Sequence, residues 1–331
     1  MQKYQVLQID ITNRCNLRCQ HCVREAINKG QIEPDFRKLK KIIENAKKLG
    51  FKEINFSGGE PTLRDDIFDL LYITKKQGLF RAITTNGIFN NSVLNNLLKS
   101  KIDLIQISID GPKKIHEKIR GIAGIFDKII ENALRLKSGG GNVIFKCVVQ
   151  KENIGYLEDL IGFLDKKKFK RIALQNILPS GKNYSFWEKN KVSDKELFNK
   201  IYTLSEKYKI GITTDNPKIN LFNQKYIEKL KEYGNIYNGE MFAGCLAGIA
   251  NFYVKPNLDI YPCAYIPYRL GNLYSDSLEN ILKKIKKTNI FFKENLRGKC
   301  KSCRFKYICG GCRAIAYTKG DIHGEDFSCD I

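Results

Sequence analysis

Three cysteines stand close together near the start of the chain, in Cys15-Asn-Leu-Arg-Cys19-Gln-His-Cys22. Three thiolates on one short loop can hold three corners of a four-iron cluster and leave the fourth iron without a protein ligand. A tetrahedral zinc would want a fourth donor, and His21, lying between two cysteines, could scarcely turn inward beside them. Zinc stays open only if a distant residue completes the site. Seven more cysteines crowd the last third, at Cys245, Cys263, Cys300, Cys303, Cys309, Cys312 and Cys329. Seven are too many for one tetrahedral zinc and one short of two four-cysteine sites. The five-residue interval between Cys303 and Cys309 is also too short for the usual hairpin of paired zinc knuckles. Cys147, alone in the apolar run Val143 to Val149, reads as a small core residue. Eleven cysteines in a reducing compartment point to metal rather than to a disulfide framework.

The elements that must position these groups alternate. Val6, Gln8, Ile9 and Ile11 predict a strand ending just before Cys15, and Leu39, Ile42, Ile43, Ala46 and Leu49 mark a helix at three- and four-residue spacing. Further strands are expected near 52–57, 81–85, 104–109, 143–149 and 171–177, with helices near 66–77, 91–99, 126–137 and 156–167. Six βα units predict a parallel sheet by the crossover rule. A connector from Leu178 to about Asp215 contains one helix near 193–208, and a charged helix near 219–233 leads into the cysteine-rich end. Gly139-Gly140-Gly141 is a short loop, not a phosphate cradle.

The first cysteine motif resembles that of the radical S-adenosylmethionine (SAM) superfamily, which has an aromatic residue before the last cysteine. Here that position is His21, a heteroaromatic variant able to stack near adenine. Ser57-Gly58-Gly59-Glu60-Pro61, Thr84-Thr85-Asn86-Gly87 and Ser108-Ile109-Asp110-Gly111 each close an expected strand, the edge at which a barrel presents groups to ligands. The resemblance implies a partial (β/α)6 TIM-like barrel. It assigns Gly58, Gly59 and Glu60 to the methionyl moiety of SAM, Ser108 and Asp110 to its ribose or carboxylate, and Asn86 to the sulfonium. Arg120, in an expected loop Lys118 to Gly121, would pair with the SAM carboxylate through its planar fork; the competing reading is a solvated charge. For Glu60 the competing role is to cap the helical turn after Pro61.

The C-terminal pattern resembles the SPASM domain, which binds two auxiliary iron–sulfur clusters. Tyr261-Pro262-Cys263, Leu270-Gly271-Asn272-Leu273, Cys309-Gly310-Gly311-Cys312-Arg313-Ala314, and Gly320-Asp321 and Glu325-Asp326 before Cys329 carry that likeness. Two departures stand out. Leu258 replaces the family's glycine five residues before Cys263, with Asn257 expected to take over the turn, and the last close interval is one residue short. The resemblance implies Cys245, Cys263 and Cys312 as ligands of a first auxiliary cluster, and Cys300, Cys303, Cys309 and Cys329 of a second. Together with the SAM site this gives three [4Fe-4S] clusters, with one iron of the first auxiliary cluster lacking a cysteine. Tyr253, Tyr261, Tyr265 and Tyr268 read as core and cluster shielding; His116 and His323 receive no role.

At 331 residues the chain has room for about two domains, and the expected division is 1–215 for the barrel and connector and 216–331 for the auxiliary-cluster domain. Subtracting 35 acidic from 57 basic residues leaves +22, read as solvated lysine-rich faces with an anionic partner as the alternative. The uncharged stretch Met241 to Val254 is too short for a bilayer, and no signal peptide is seen, so a cytoplasmic chain is expected. The implied function is reductive cleavage of SAM to a 5′-deoxyadenosyl radical that takes hydrogen from a substrate, with a ferredoxin- or flavodoxin-type electron donor. A peptide or protein side chain leads as substrate. Because the first strand begins almost at residue 1, a leader-binding partner is expected to be a separate protein. Haem-type tetrapyrrole or metallocofactor (for example tungsten-enzyme) maturation is the alternative, and a zinc-stabilised nucleic-acid-binding protein the alternative of another class.

Overall fold

The computed structural model describes residues 4–24, 32–179, 184–219, 244–307 and 309–330. In chain order its principal elements are β1 (Val6–Asp10), α1 (Phe36–Lys48), β2 (Glu53–Ser57), α2 (Ile67–Lys76), β3 (Phe80–Thr85), α3 (Asn91–Ser100), β4 (Leu104–Ser108), α4 (Lys113–Arg120), α5 (Ile125–Ser138) and β5 (Val143–Val149). There follow α6 (Leu157–Lys166), β6 (Arg171–Asn176), α7 (Tyr184–Asn190), α8 (Asp194–Lys207) and β7 (Gly211–Thr213). The C-terminal part adds β8 (Phe252–Val254), β9 (Asp259–Tyr261), β10 (Gly271–Asn272), α9 (Leu278–Thr288), α10 (Gly298–Ser302) and α11 (Arg313–Tyr317). The chain forms two compact units. One is Met1–Ser108, His116–Ile144 and Gly248–Asn289; the other is Ile109–Ile115, Phe145–Ala247 and Ile290–Ile331.

In the first unit β1, β2, β3 and β4 are parallel neighbours, with Val6 opposite Glu53 and Ala82 opposite Leu104. Helices cover such a sheet, so its strands are buried along most of their length although polar residues alternate with apolar ones: Leu7, Ile9, Ile54, Phe56, Ile83 and Ile107 are fully buried. Helix α1 shows how the sequence achieves this. Leu39, Ile42, Ile43 and Ala46 form its buried stripe, Asp35 caps its start by accepting from the Arg37 and Lys38 amides, and Lys47 and Lys48 end it. Such a cap contributes about 1 kcal/mol and each fully buried Leu or Ile about 1.5–3 kcal/mol. On the far side of β1 lies β8, parallel to it with Leu7 opposite Phe252, and β9 and β10 follow antiparallel. Tyr4 stacks on Phe51 at 4.8 Å and meets Phe252 edge-on at 5.8 Å, which ties this late segment to the first strand.

The second unit holds β5, β6 and β7 as parallel neighbours. Ile177, Trp187 and Ile315 form a small core there, against which Cys312 and Phe327 pack. Helix α7 therefore lies over the cysteine-rich tail.

All the strands and helices expected in the first 177 residues are present within a few residues of their expected limits. Helix α4 is a difference. The segment expected to be a loop around Arg120 is helical, because His116, Ile119 and Arg120 supply a buried face where the apolar residues alone are too few to show a period. Strands β7 to β10 are two or three residues long and escape periodicity for that reason. The charged helix expected near 219–233 falls, except for its first residue, outside the described residues.

Candidate active site

In the first unit the exit of β2 grips the loop that leads to Cys15. The Gly59 amide donates to Thr12 O at 2.8 Å and the Glu60 amide to Arg14 O at 2.7 Å. The backbones are so close that a Cβ on Gly58 would lie 2.4 Å from Thr12 O, and one on Gly59 2.0 Å from Arg14 O. Glycine is needed at both positions for that approach. Thr12 Oγ1 and Arg14 Nε both donate to Glu33 Oε1 at 2.7 Å, which fixes the loop from its outer side.

Glu60 is fully buried and its carboxylate is fully engaged. Oε1 accepts from the Thr62 amide at 3.1 Å and from the Thr62 and Thr85 hydroxyls at 2.7 Å, and Oε2 accepts from the Asn86 amide at 2.7 Å. It caps the turn Pro61–Leu63 and joins β2 to the end of β3. Burial raises its pKa, against those four donors. Asn86 Nδ2 in turn donates to Asn16 Oδ1 at 2.6 Å, so the Thr84–Gly87 segment meets the cysteine loop directly.

Within that loop the Leu17 amide donates to Cys15 Sγ at 3.4 Å, and Arg120 Nη1 donates to Cys19 Sγ at 3.5 Å. Arg120 is thus no solvated charge: it ends α4, buried, with its guanidinium on a cysteine sulfur. Burial pushes the Cys15 thiol up to about 12, and Glu60 and the Cys19 and Cys22 sulfurs add to the rise. His21 is buried beside them. Ser108 ends β4, half-buried, in this unit, whereas Asp110 belongs to the second. There its carboxylate accepts from the Val148 amide at 3.2 Å and its carbonyl from Asn153 Nδ2 at 2.9 Å.

Sequence reasoning missed one cluster in the first unit. Asp10, buried at the end of β1, accepts at Oδ2 from Arg24 Nε at 2.8 Å and from the Tyr253 hydroxyl. Burial raises the Asp10 pKa, opposed by Arg24 and Tyr253. The available signal was a carboxylate closing an apolar strand and an arginine two residues past the last cysteine. Tyr261 and Tyr253 pack at 6.3 Å, and the Tyr265 amide donates to Cys263 Sγ at 3.3 Å.

In the second unit Asp326 organises the tail. Its Oδ2 accepts from the Cys312 amide at 2.8 Å, and its own amide donates to Cys300 Sγ at 3.5 Å. Arg313 Nη2 reaches the same sulfur at 3.8 Å, and the Gly311 amide donates to Cys309 Sγ at 3.3 Å. A Cβ on Gly311, whose φ is +68°, would come within 2.9 Å of Cys300 Sγ. The Cys245 amide donates to Cys309 O at 3.0 Å, and the Cys329 amide to Asp326 O at 3.2 Å. Cys303 is half-buried and Cys329 exposed. Burial raises the Cys309 thiol to about 11 and the Cys312 thiol further. Lys218, another residue the sequence did not single out, is buried between Asp194 at 2.5 Å and Asp326 at 2.8 Å. Burial alone would lower its pKa, but the two carboxylates raise it.

None of the eleven cysteines is in a disulfide. Among the described residues no three Cys, His, Asp or Glu side chains gather tightly enough to chelate a single ion. Residues 9–164 match the model of the radical SAM superfamily, and residues 245–304 match that of SPASM, an iron-sulfur cluster-binding domain. The chain is a radical SAM enzyme with a C-terminal SPASM domain.

Relatives extend along nearly all of it. The AdoMet-dependent heme synthase of Oleidesulfovibrio alaskensis is 25% identical over 331 residues, 95% of this chain and 84% of that one. The mycofactocin maturase MftC of Mycobacterium ulcerans is 25% identical over 97% of this chain and 86% of that one. The crystal structure of Streptococcus suis SuiB bound to S-adenosylmethionine has the same fold, with a TM-score of 0.76 at 22% identity over 99% of this chain and 78% of that one. The parallel βα succession is therefore the partial TIM-type barrel of radical SAM SPASM enzymes. These matches set aside the zinc-stabilised nucleic-acid-binding alternative.

The cofactors of a radical SAM SPASM enzyme are [4Fe-4S] clusters and SAM. The sulfurs of this chain suit that donor set. Cys15, Cys263 and Cys309 each accept from the amide two residues on, and Cys19 and Cys300 accept from an arginine. Amide and guanidinium donors stabilise the thiolate charge that cluster sulfurs carry. No helix among the described residues is long and apolar enough to cross a membrane.

Proposed function

We propose that this enzyme modifies a peptide or protein side chain by radical hydrogen abstraction, with Cys15, Cys19 and Cys22 holding the cluster that binds SAM. When bound, the reduced cluster and SAM supply a 5′-deoxyadenosyl radical. Gly58, Gly59 and Glu60 shape the methionyl site: the two glycines leave backbone bare, and Glu60 fixes that backbone through its carboxylate. Asn86, Ser108, Asp110 and His21 would serve the rest of SAM. Arg120 donates to Cys19 and is the residue that would pair with the SAM carboxylate. Cys245, Cys263 and Cys312 hold one auxiliary cluster, and Cys300, Cys303, Cys309 and Cys329 the other. The functional division falls at 215/216.

The observation that carries this reading is the clamp of Gly58 and Gly59 on Thr12–Arg14, which fixes a three-thiol loop with no fourth cysteine in it. A ferredoxin- or flavodoxin-type protein of low potential supplies electrons, in the cytoplasm. A second reading, tetrapyrrole or metallocofactor maturation, is favoured by the 25% identity to a heme synthase over 95% of the chain.

Anaerobic reconstitution tests the assignment. The protein should be brown and carry about twelve irons if each of three clusters has four. Replacing Cys15, Cys19 and Cys22 together by alanine should keep the auxiliary absorption and end 5′-deoxyadenosine formation. Persistent cleavage in that variant would refute the cluster assignment.

A further inference from the structure

Arg24, two residues beyond Cys22, holds neither metal nor SAM in the reading above, yet it is fixed with care. Its Nε donates to Asp10 Oδ2 at 2.8 Å, and the Tyr253 hydroxyl donates to the same oxygen. Its guanidinium carbon lies 6.0 Å from the centre of the Tyr253 ring. The Asp10 side chain is 2% exposed, whereas the Arg24 side chain is 23% exposed. Among the described residues its hydrogen bonding runs through Nε, which leaves the donors of its two Nη groups to offer. A guanidinium held by Nε has its plane fixed, and its Nη pair is then a ready fork for a carboxylate.

The surroundings say what such a fork would serve. The Cys22 sulfur and the Tyr265 hydroxyl both lie within range of the Arg24 charge. Tyr265 is the residue whose amide donates to Cys263 Sγ. Arg24 therefore stands beside the first cysteine loop and near Tyr265, the neighbour of Cys263, all inside the first unit. A chain carrying +22 also draws anions towards such a point.

We propose that Arg24 is a substrate anchor, binding a carboxylate of the substrate through its two Nη groups, with Asp10 and Tyr253 as its positioning residues. The inference rests on the reading of Cys22 and Cys263 as cluster ligands and names the chemistry of what lies between them. The substrate carries a free carboxylate within reach of the reacting carbon. A propionate of a tetrapyrrole and an acidic side chain of a peptide both supply that group.

The test compares acid and neutral forms of two probes on the reconstituted enzyme. One pair is iron coproporphyrin III and its tetramethyl ester, followed by the shift of the porphyrin absorption. The other is a Gly–Glu repeat peptide and its Gly–Gln counterpart, followed by calorimetry. The wild type should prefer the acid form of one pair by roughly ten- to a hundredfold. In Arg24→Gln that preference should fall to near unity, and in Arg24→Lys to an intermediate value, because a lysine keeps the charge and loses the fork. Tyr253→Phe should weaken the acid form alone by a few-fold, and it serves as the readout if Arg24→Gln loads iron poorly. The pair that is discriminated identifies the source of the carboxylate. An acid-to-neutral ratio near unity in the wild type, or one untouched by all three substitutions, overturns the anchor. Wild-type 5′-deoxyadenosine formation is recorded alongside: its absence counts against the cluster reading, while its presence with an unchanged ratio counts against Arg24 alone.

Discussion

Arg120 delivers a positive charge to Cys19 Sγ from the end of a helix that also supplies the Ile119 carbonyl to the Gln20 amide. Cluster sulfurs take their redox poise from such donors. Arg120→Gln should lower the reduction potential of the N-terminal cluster and cost about tenfold in activity or iron affinity. An electrochemical titration checks it, and an unmoved potential would return Arg120 to a purely structural part. Glu60 makes a different prediction. Its two oxygens face four donors, so Glu60→Gln puts an amide NH₂ against N–H or O–H groups and should destabilise the first unit by about 1–3 kcal/mol. Thermal unfolding of the reconstituted protein reads that directly. The cysteine groups were legible because their spacing is local. The Asp10, Arg24 and Tyr253 cluster was not, since Tyr253 arrives from a strand late in the chain that only the fold sets beside β1.

At the level of elements, the turn between β8 and β9 departs from what its residues predicted. Asn257 was expected to carry the turn, but Leu258 itself takes the left-handed conformation at φ +63° while its side chain is fully buried. Asn257 supports it from the side, its Oδ1 accepting from the Asp259 amide at 3.2 Å. Left-handed backbone costs a leucine roughly 1–2 kcal/mol, and a buried leucine removed costs about 2–5 kcal/mol. The second term is larger. Leu258→Gly should therefore destabilise by roughly 1–3 kcal/mol despite restoring the residue this turn would otherwise favour. A rise in melting temperature would show that strain outweighs packing here. Gly59 has no such compensation: Gly59→Ala must push Arg14 aside, and should lose N-terminal iron while keeping the tail cysteines loaded. Helix α4 was hidden from a periodicity search because two of its three buried residues are His116 and Arg120, which a hydropathy pattern counts as polar.

Across the molecule, the second unit depends on a buried charge from far outside its cysteines. Lys218 is locked by Asp194 and Asp326, and Asp326 in turn holds the Cys312 amide and donates to Cys300. Removing one member of a buried pair typically costs about 3–5 kcal/mol, so Lys218→Met should unfold this unit first and release its iron. The folded-state pKa of Lys218 is raised, so its contribution is complete below the ordinary lysine value of 10.5 and is lost as the pH climbs through the higher folded value. Alkaline unfolding of the wild type, absent as a separate step in Lys218→Met, checks the sign. The parallel partnership of β1 with β8 has a practical corollary for anyone seeking the smallest active fragment. Cut after residue 215, the barrel would open on a bare strand edge, with the Leu7 to Ile9 backbone stripped of its neighbour. Such a fragment should cling to copies of itself and purify as oligomers, since residues 252–254 supply the cover along its first strand.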